Sequence, residues 1–317
     1  MDKLSSLCSL KYFSPSTQSK ISTVLGIAGL YFVSKLSFNV LSWMKKNFFS
    51  FSQDLKSKYG DGWVVVTGGS EGIGFAFAEE FAKQNFKILL ISRSEGKLKK
   101  AKTELEQKYP NTTIEYISFD FNKNYSNEEV KDLESKLNNY EDISVLINNV
   151  GKIVRQNLGE QKNSDINDMI NMNIRSMVFT TKIIVAKMIK REKKSLIVGS
   201  GSMSGFYRYA TRSIYGSTKV FLEAFLESVH NEYPDKIDCT YFEIGAVESV
   251  LNPLKMPFKI NTQQLGNTCI KYVGKYSSTT GHVMHEIPRV PYIVLPQWYK
   301  DWYANVLTNC NKSVQKH

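Results

Sequence analysis

A chain of 317 residues, 42% hydrophobic and 22% charged, can bury a full core, which excludes a disordered tail or a disulfide-stapled miniprotein. Its four cysteines (Cys8, Cys239, Cys269, Cys310) lie far apart without a C-x-x-C pair, and His282 and His285 are too little to hold a metal, so no metal site is expected. Of the net charge of +11, residues 1–58 hold +6 (eight lysines against two aspartates); no nucleic-acid motif accompanies it, and charge beside a hydrophobic segment suits anionic lipid.

Residues 21–44 form the candidate membrane segment. Ile21 to Ser34 is uncharged, Lys35 interrupts, and Leu36 to Met44 is again mostly apolar, with Trp43 and Lys45-Lys46 as an interfacial anchor. The uncharged run of 14 residues is short of the ~18–20 wanted for an easy span, although Lys35 can snorkel if the segment tilts. An in-plane amphipathic helix is one alternative; a cleaved signal peptide is another, without a convincing cleavage site. Four lysines shortly after the segment against three before it tilt the main domain towards the cytosol.

From Gly60 onward, strands and helices alternate. Trp63-Val64-Val65-Val66 is a buried strand. The turn Thr67-Gly68-Gly69-Ser70-Glu71-Gly72-Ile73-Gly74 follows, and Phe75, Phe77, Ala78, Phe81 and Ala82 then recur at helical spacing. Further strands are predicted at 87–92, 113–118, 143–147, 196–198 and 237–242, and helices at 94–108, 127–137, 164–190 and 215–233. Repeated units of this kind force a parallel sheet covered on both faces: an α/β, Rossmann-type doubly wound fold behind an N-terminal hydrophobic anchor. The expected domains are 1–58 (anchor), 59–287 (catalytic) and 288–317 (an aromatic extension).

Ligands of such sheets collect at the carboxyl ends of the strands. After the first strand, the glycines let a pyrophosphate approach the free N–H groups of the following helix. After the second, Ser92-Arg93-Ser94 stands where an NAD enzyme places a carboxylate, and Arg93 favours a 2′-phosphate, hence NADPH. After the third, Asp120 can accept from an adenine amino group or cap a turn. After the fourth, Asn148 and Gly151 can border the adenosine. Tyr215 and Lys219 fall one helical turn apart, and Ser202 lies 13 residues before Tyr215. A phenol needs a neighbouring ammonium to act as an acid at neutral pH, and Ser202 can hold a carbonyl oxygen in line with it. Tyr31 and Lys35 repeat the same spacing without such company.

Together, Thr67–Gly74, Asn148-Asn149-Val150-Gly151, Ser202, Tyr215 and Lys219 resemble the short-chain dehydrogenase/reductase superfamily over about residues 60–250. That resemblance makes Gly68, Ser70, Gly72, Ile73 and Gly74 the cofactor cradle. It makes Asn173 the helix asparagine that holds a water linking Lys219 to solvent, and Ser249 the stand-in for a threonine that contacts the nicotinamide amide. Lys58-Tyr59-Gly60, Leu90–Ser94, the hydrophobic N-terminus and, more loosely, the tail from Gly281 are similar to the membrane-bound branch of very-long-chain 3-oxoacyl-CoA reductases and 17β-hydroxysteroid dehydrogenases.

What this narrower resemblance implies is NADPH-dependent 3-oxoacyl-CoA reduction in fatty-acid elongation, at the endoplasmic reticulum membrane with the catalytic domain in the cytosol. It leaves room for a homodimer and for association with other elongation enzymes. The alternatives are a ketosteroid reductase and a catalytically silent NADPH-binding scaffold. Three departures stand out. Gly201 replaces the usual serine before Ser202, which leaves Ser200 as a competitor; Ile244 replaces a proline after the sixth strand; and Ser249 replaces the threonine. Residues 246–290, apolar and proline-punctuated, suit a fatty chain or a steroid, and Lys255 and Lys259 could meet coenzyme A phosphates.

Overall fold

The computed structural model describes residues 14–49, 53–248, 258–289, 292 and 296–302, and the chain divides into two compact units, Met1–Phe51 and Ser52–His317. Ser249, Lys255 and the rest of 249–257 lie outside the described residues, as do Cys8, Cys310 and 303–317.

Among its described residues the first unit is one helix, α1 (Pro15–Phe48). The Ser14 side chain accepts the Thr17 N–H, Pro15 takes the first turn where no donor is needed, and Lys45 and Lys46 sit on the last turn, where the helix dipole favours cations. Its 34 residues span about 51 Å, against a hydrocarbon core of ~30 Å. The interruption at Lys35 does not break it: the ammonium lies 5.8 Å from the Tyr31 ring centre. No residue of α1 is buried, and by length and composition it can cross a membrane. It is a candidate membrane anchor.

The second unit opens with the short helix α2 (Leu55–Tyr59) and winds around seven parallel strands in the order β3-β2-β1-β4-β5-β6-β7. These are β1 (Trp63–Thr67), β2 (Lys87–Ser92), β3 (Ile114–Ser118), β4 (Ile143–Asn148), β5 (Ser195–Ser200), β6 (Ile237–Phe242) and β7 (Ser278–Thr279). Alternate residues feed two cores. Val64, Val66, Ile88 and Leu90 pack under α3 (Gly72–Ala82) and α4 (Glu95–Lys108), through Phe77, Phe81, Leu98 and Leu105. Val65, Leu89, Leu146 and Ile197 face the other way, with Leu133 of α5 (Asn127–Leu137) and further helices in the order given below.

The helix expected over 164–190 is there but irregular. It runs as α6 (Asn163–Ile170), a π-helical turn (Asn171–Arg175) and α7 (Ser176–Met188), the wider turn being closed by Ser176 N–H to Asn171 C=O. Then come α8 (Met203–Tyr207) and the long α9 (Ser213–Glu232), whose Leu222 and Leu226 join the second core beside Ile184 and Met188 of α7. Past β6, three elements add to the sequence expectation: α10 (Thr262–Cys269), β7 and α11 (Val283–Glu286). β7 is two polar residues long, and α10 is marked only by its Asn261/Gln264 capping box.

Membranes from cells making the full chain should retain it through alkaline carbonate washing, and a chain beginning at Ser52 should move to the soluble fraction. Sedimentation of the shortened chain with membranes would place the attachment outside α1.

Candidate active site

The sheet order reverses between β1 and β4, so the loops leaving these two strands part and open a crevice. One buried hydroxyl joins its two walls. Thr67 Oγ1 donates to the Ile147 carbonyl (3.1 Å) and accepts the N–H groups of Asn149 (3.0 Å) and Val150 (3.2 Å). Beyond Thr67 the chain turns through Gly68 at φ +66° into α3. Gly74 packs so closely under this turn that a Cβ there would sit 2.3 Å from the Gly68 carbonyl oxygen. The Asn149 side-chain amide closes the turn from the β4 side, donating to the carbonyls of Thr67 and Gly68 at 3.2 Å each.

The crevice has a volume of about 590 Å³. Of the residues expected to hold a cofactor, Gly68, Ser70, Gly72, Ile73, Arg93, Asp120, Gly151, Tyr215 and Lys219 line it. Ser70 and Ser92 hydroxyls meet at 3.1 Å, and the Glu71 carboxylate is drawn off to Lys97 at 2.7 Å, which leaves the exposed Arg93 at the end of β2. Asp120 lines the crevice and also accepts the Asn122 N–H (3.0 Å), so it caps its turn as well. Asn148 is placed differently: the last residue of β4, it turns its amide to Thr181 of α7 (2.9 Å), and its neighbour Asn149 lines the crevice. Strand alternation separates these two asparagines, and no local pattern marks the second as the one that braces the turn.

At the far end of the crevice, α9 presents Tyr215 and the buried Lys219, with Nζ 5.7 Å from the phenol ring centre and donating to the Ser200 carbonyl at 2.8 Å. Gly151 lets Lys219 and Asn173 approach: a Cβ there would lie 3.1 Å from Asn173 Oδ1 and 3.5 Å from Lys219 Nζ. The π-helical turn carries Asn173. Its oxygen accepts the Lys152 N–H (2.7 Å), and its amide donates to the Lys152 carbonyl (2.9 Å) and to Thr218 Oγ1 (3.0 Å), which in turn donates to the Tyr215 carbonyl (2.7 Å). Thr218 thus joins Asn173 to the tyrosine's own helical turn, a link with no sequence signature.

Ser202 is the N-cap of α8 and accepts the Ser204 N–H at 3.1 Å, which leaves its hydroxyl proton available to a ligand. It stands outside the crevice lining, whereas Ser200 lines it and has a buried hydroxyl with no partner among the described residues. Arg155 and Arg212 add positive charge around Tyr215; burial holds both guanidinium groups below their ordinary range, and for Arg212 the nearness of Arg155 adds to the effect. Lys152 is offset by Asp165 and Asp168 at 2.9 and 2.6 Å.

A glycine turn that a Cβ would fill, a helix N-terminus facing the crevice and an unpartnered serine hydroxyl in its wall fit a dinucleotide. The family model described as short chain dehydrogenase matches residues 62–256, more than half of the chain. The chain belongs to the short-chain dehydrogenase family. Very-long-chain 3-oxoacyl-CoA reductase of Rattus norvegicus is 32% identical over 261 residues, 80% of each chain. A solved 7beta-hydroxysteroid dehydrogenase matches with TM-score 0.70 at 17% identity, over 80% of this chain and 99% of that one. A short-chain dehydrogenase from Sphingobium yanoikuyae in complex with NADPH matches with TM-score 0.61 at 22% identity, over 67% and 84%. Family membership makes the chain an oxidoreductase acting on CH–OH groups with a nicotinamide cofactor, and the crevice is where that cofactor fits.

Gly74→Ala tests the cradle. The added methyl would meet the Gly68 carbonyl oxygen at 2.3 Å and the bracing Asn149 amide at 2.6 Å, so the substitution should cost about 1–3 kcal/mol of stability and weaken reduced-nicotinamide binding by more than about tenfold in a fluorescence titration.

Proposed function

We propose that this short-chain dehydrogenase reduces the ketone of a 3-oxoacyl-CoA to the 3-hydroxyacyl-CoA with NADPH, in (very-)long-chain fatty-acid elongation. The observation that carries the reading is the 32% identity to a reductase of that name across four fifths of both chains, joined to a Tyr215–Lys219 pair at the end of a dinucleotide-sized crevice. When bound, the reduced nicotinamide supplies a hydride for the ketone carbon. Tyr215 donates its phenolic proton to the ketone oxygen, and Ser202 donates a hydrogen bond to the same oxygen. The Lys219 ammonium stabilises the phenolate left behind, and Asn173 holds the water through which Lys219 is linked to bulk solvent.

NADPH is preferred because Arg93 stands at the ribose end with the nearby carboxylate, Glu71, turned to Lys97. Gly68, Ser70, Gly72, Ile73 and Gly74 cradle the pyrophosphate, Asp120 and Gly151 border the adenosine with Asn149 in the place expected of Asn148, and Ser249, outside the described residues, is kept as the candidate for the nicotinamide amide. The endoplasmic reticulum membrane, with the catalytic unit in the cytosol, is supported by α1 with its Lys45-Lys46 end and by the relationship to the elongation reductases. The same relationship supports association with other elongation enzymes, and a homodimer.

NADPH oxidation by the full-length enzyme should proceed with long-chain 3-oxoacyl-CoA. Tyr215→Phe should lower kcat by about a hundredfold or more while leaving NADPH affinity within about threefold. Turnover of a ketosteroid alone would replace the acyl-CoA assignment, and wild-type turnover by Tyr215→Phe would remove the phenol from the chemistry. Arg93→Ala should raise KM for NADPH about tenfold and leave KM for NADH nearly unchanged; equal effects on the two would assign Arg93 no part in the choice.

A further inference from the structure

Where β6 ends at Phe242, the chain bends past the catalytic end of the crevice through Glu243-Ile244-Gly245-Ala246, and Ile244 lines the wall with Tyr215 and Lys219. The resemblance drawn from the sequence implies a proline at 244; Ile stands there, without the fixed φ that would stiffen the bend. A side chain from another element takes hold of it. His285 of α11 is buried at 1% exposure behind Gly245. Its Nδ1 lies 3.2 Å from the Gly245 N–H, and its Nε2 lies 3.2 Å from the Ala246 carbonyl. The ring is pressed so flat against the chain that a Cβ on Gly245 would fall 2.5 Å from His285 Cδ2.

We propose that His285 is a positioning residue for the cofactor: by accepting the Gly245 N–H it fixes the Ile244–Ala246 segment against which the nicotinamide end of the dinucleotide is laid.

The tautomer follows from the partners. A backbone N–H can only donate, so Nδ1 presents its lone pair to Gly245, and the ring proton sits on Nε2 and is donated to Ala246. Burial pushes the imidazole down to about 4, which keeps it neutral and keeps that lone pair open. The Thr280 carbonyl, 3.5 Å from Nδ1, could be served only by a proton on Nδ1, which would expel the Gly245 N–H. The two partners therefore exclude each other. The bend is held at a second point by the Met203 N–H, which donates to the Ile244 carbonyl at 2.9 Å. Met203 opens α8 directly after Ser202, so one short stretch of backbone is shared by the cofactor wall and the serine N-cap. His282, three residues earlier, accepts the Met284 N–H on its own Nδ1, so the two histidines of Gly281–His285 divide into a helix cap and a loop clamp.

The inference rests on the family's use of a nicotinamide cofactor and not on the acyl-CoA assignment. Two substitutions separate the bonds. In His285→Asn the amide oxygen falls near the place of Nδ1 and can still accept from Gly245. In His285→Gln the amide nitrogen falls near the place of Nε2, serving Ala246 and abandoning Gly245. NADPH and NADH are titrated into the full-length wild-type and variant proteins in detergent, read by energy transfer from tryptophan to the reduced nicotinamide, with thermal midpoints measured without cofactor. His285→Gln should weaken NADPH binding about tenfold, with kcat at saturating cofactor and KM for the ketone within about threefold; His285→Asn should bind within about threefold of wild type. Equal affinities in the two variants, or losses of affinity that merely track losses in thermal midpoint, would overturn the proposal. A wild-type protein that binds NADPH but reduces no 3-oxoacyl-CoA would count against the proposed substrate and leave this test intact.

Discussion

The crevice exists because one threonine hydroxyl satisfies three backbone groups at once. Where the strand order reverses, the Ile147 carbonyl near the end of β4 and the N–H groups of Asn149 and Val150 beyond it turn to the last residue of β1. Thr67 Oγ1 takes all three. A buried polar group without a partner costs about 1–3 kcal/mol, so this junction is stable only with a small hydroxyl residue at its centre. The glycine turn and the Asn149 brace are built outward from it, and Tyr215 and Lys219 of α9 line the same gap.

Short-range features of this design could be read from the residues in order. The glycine turn is a run of eight residues, and Tyr215 and Lys219 share one helical turn, so local spacing announces both. Tyr31 and Lys35 show where spacing stops. In α1 their cation-to-ring distance is 5.8 Å, against 5.7 Å for Lys219 over Tyr215. The two pairs are locally the same object. What differs is that Lys219 is buried and bonded to the Ser200 carbonyl beside Asn173, while Tyr31 and Lys35 are exposed. Chemistry resides in the surroundings, and those come from residues distant in the chain.

The features that escaped are of that distant kind. Asn149, Thr218 and His285 each act on backbone or side chains brought from another element, 40 or more residues away. No periodicity encodes such a contact. Asn148 and Asn149 differ only in which side of a strand end they leave, and that is settled by where β4 stops. Ile244 in place of a proline gave no sign of what holds the loop; the structure bonds Gly245 and Ala246 to His285, a histidine that the sequence offered only as a metal ligand and that was set aside as one.

The π-helical turn between α6 and α7 holds one residue more than a regular helix would use over the same rise. Each residue advances a helix by about 100°. Removing one residue there would straighten the helix at the price of turning either Asn173 away from Lys152 and Thr218 or Ile184 and Met188 away from the sheet. Residue count, more than residue identity, is what this turn holds constant, and it is a place in the domain where a one-residue deletion would do more harm than many substitutions.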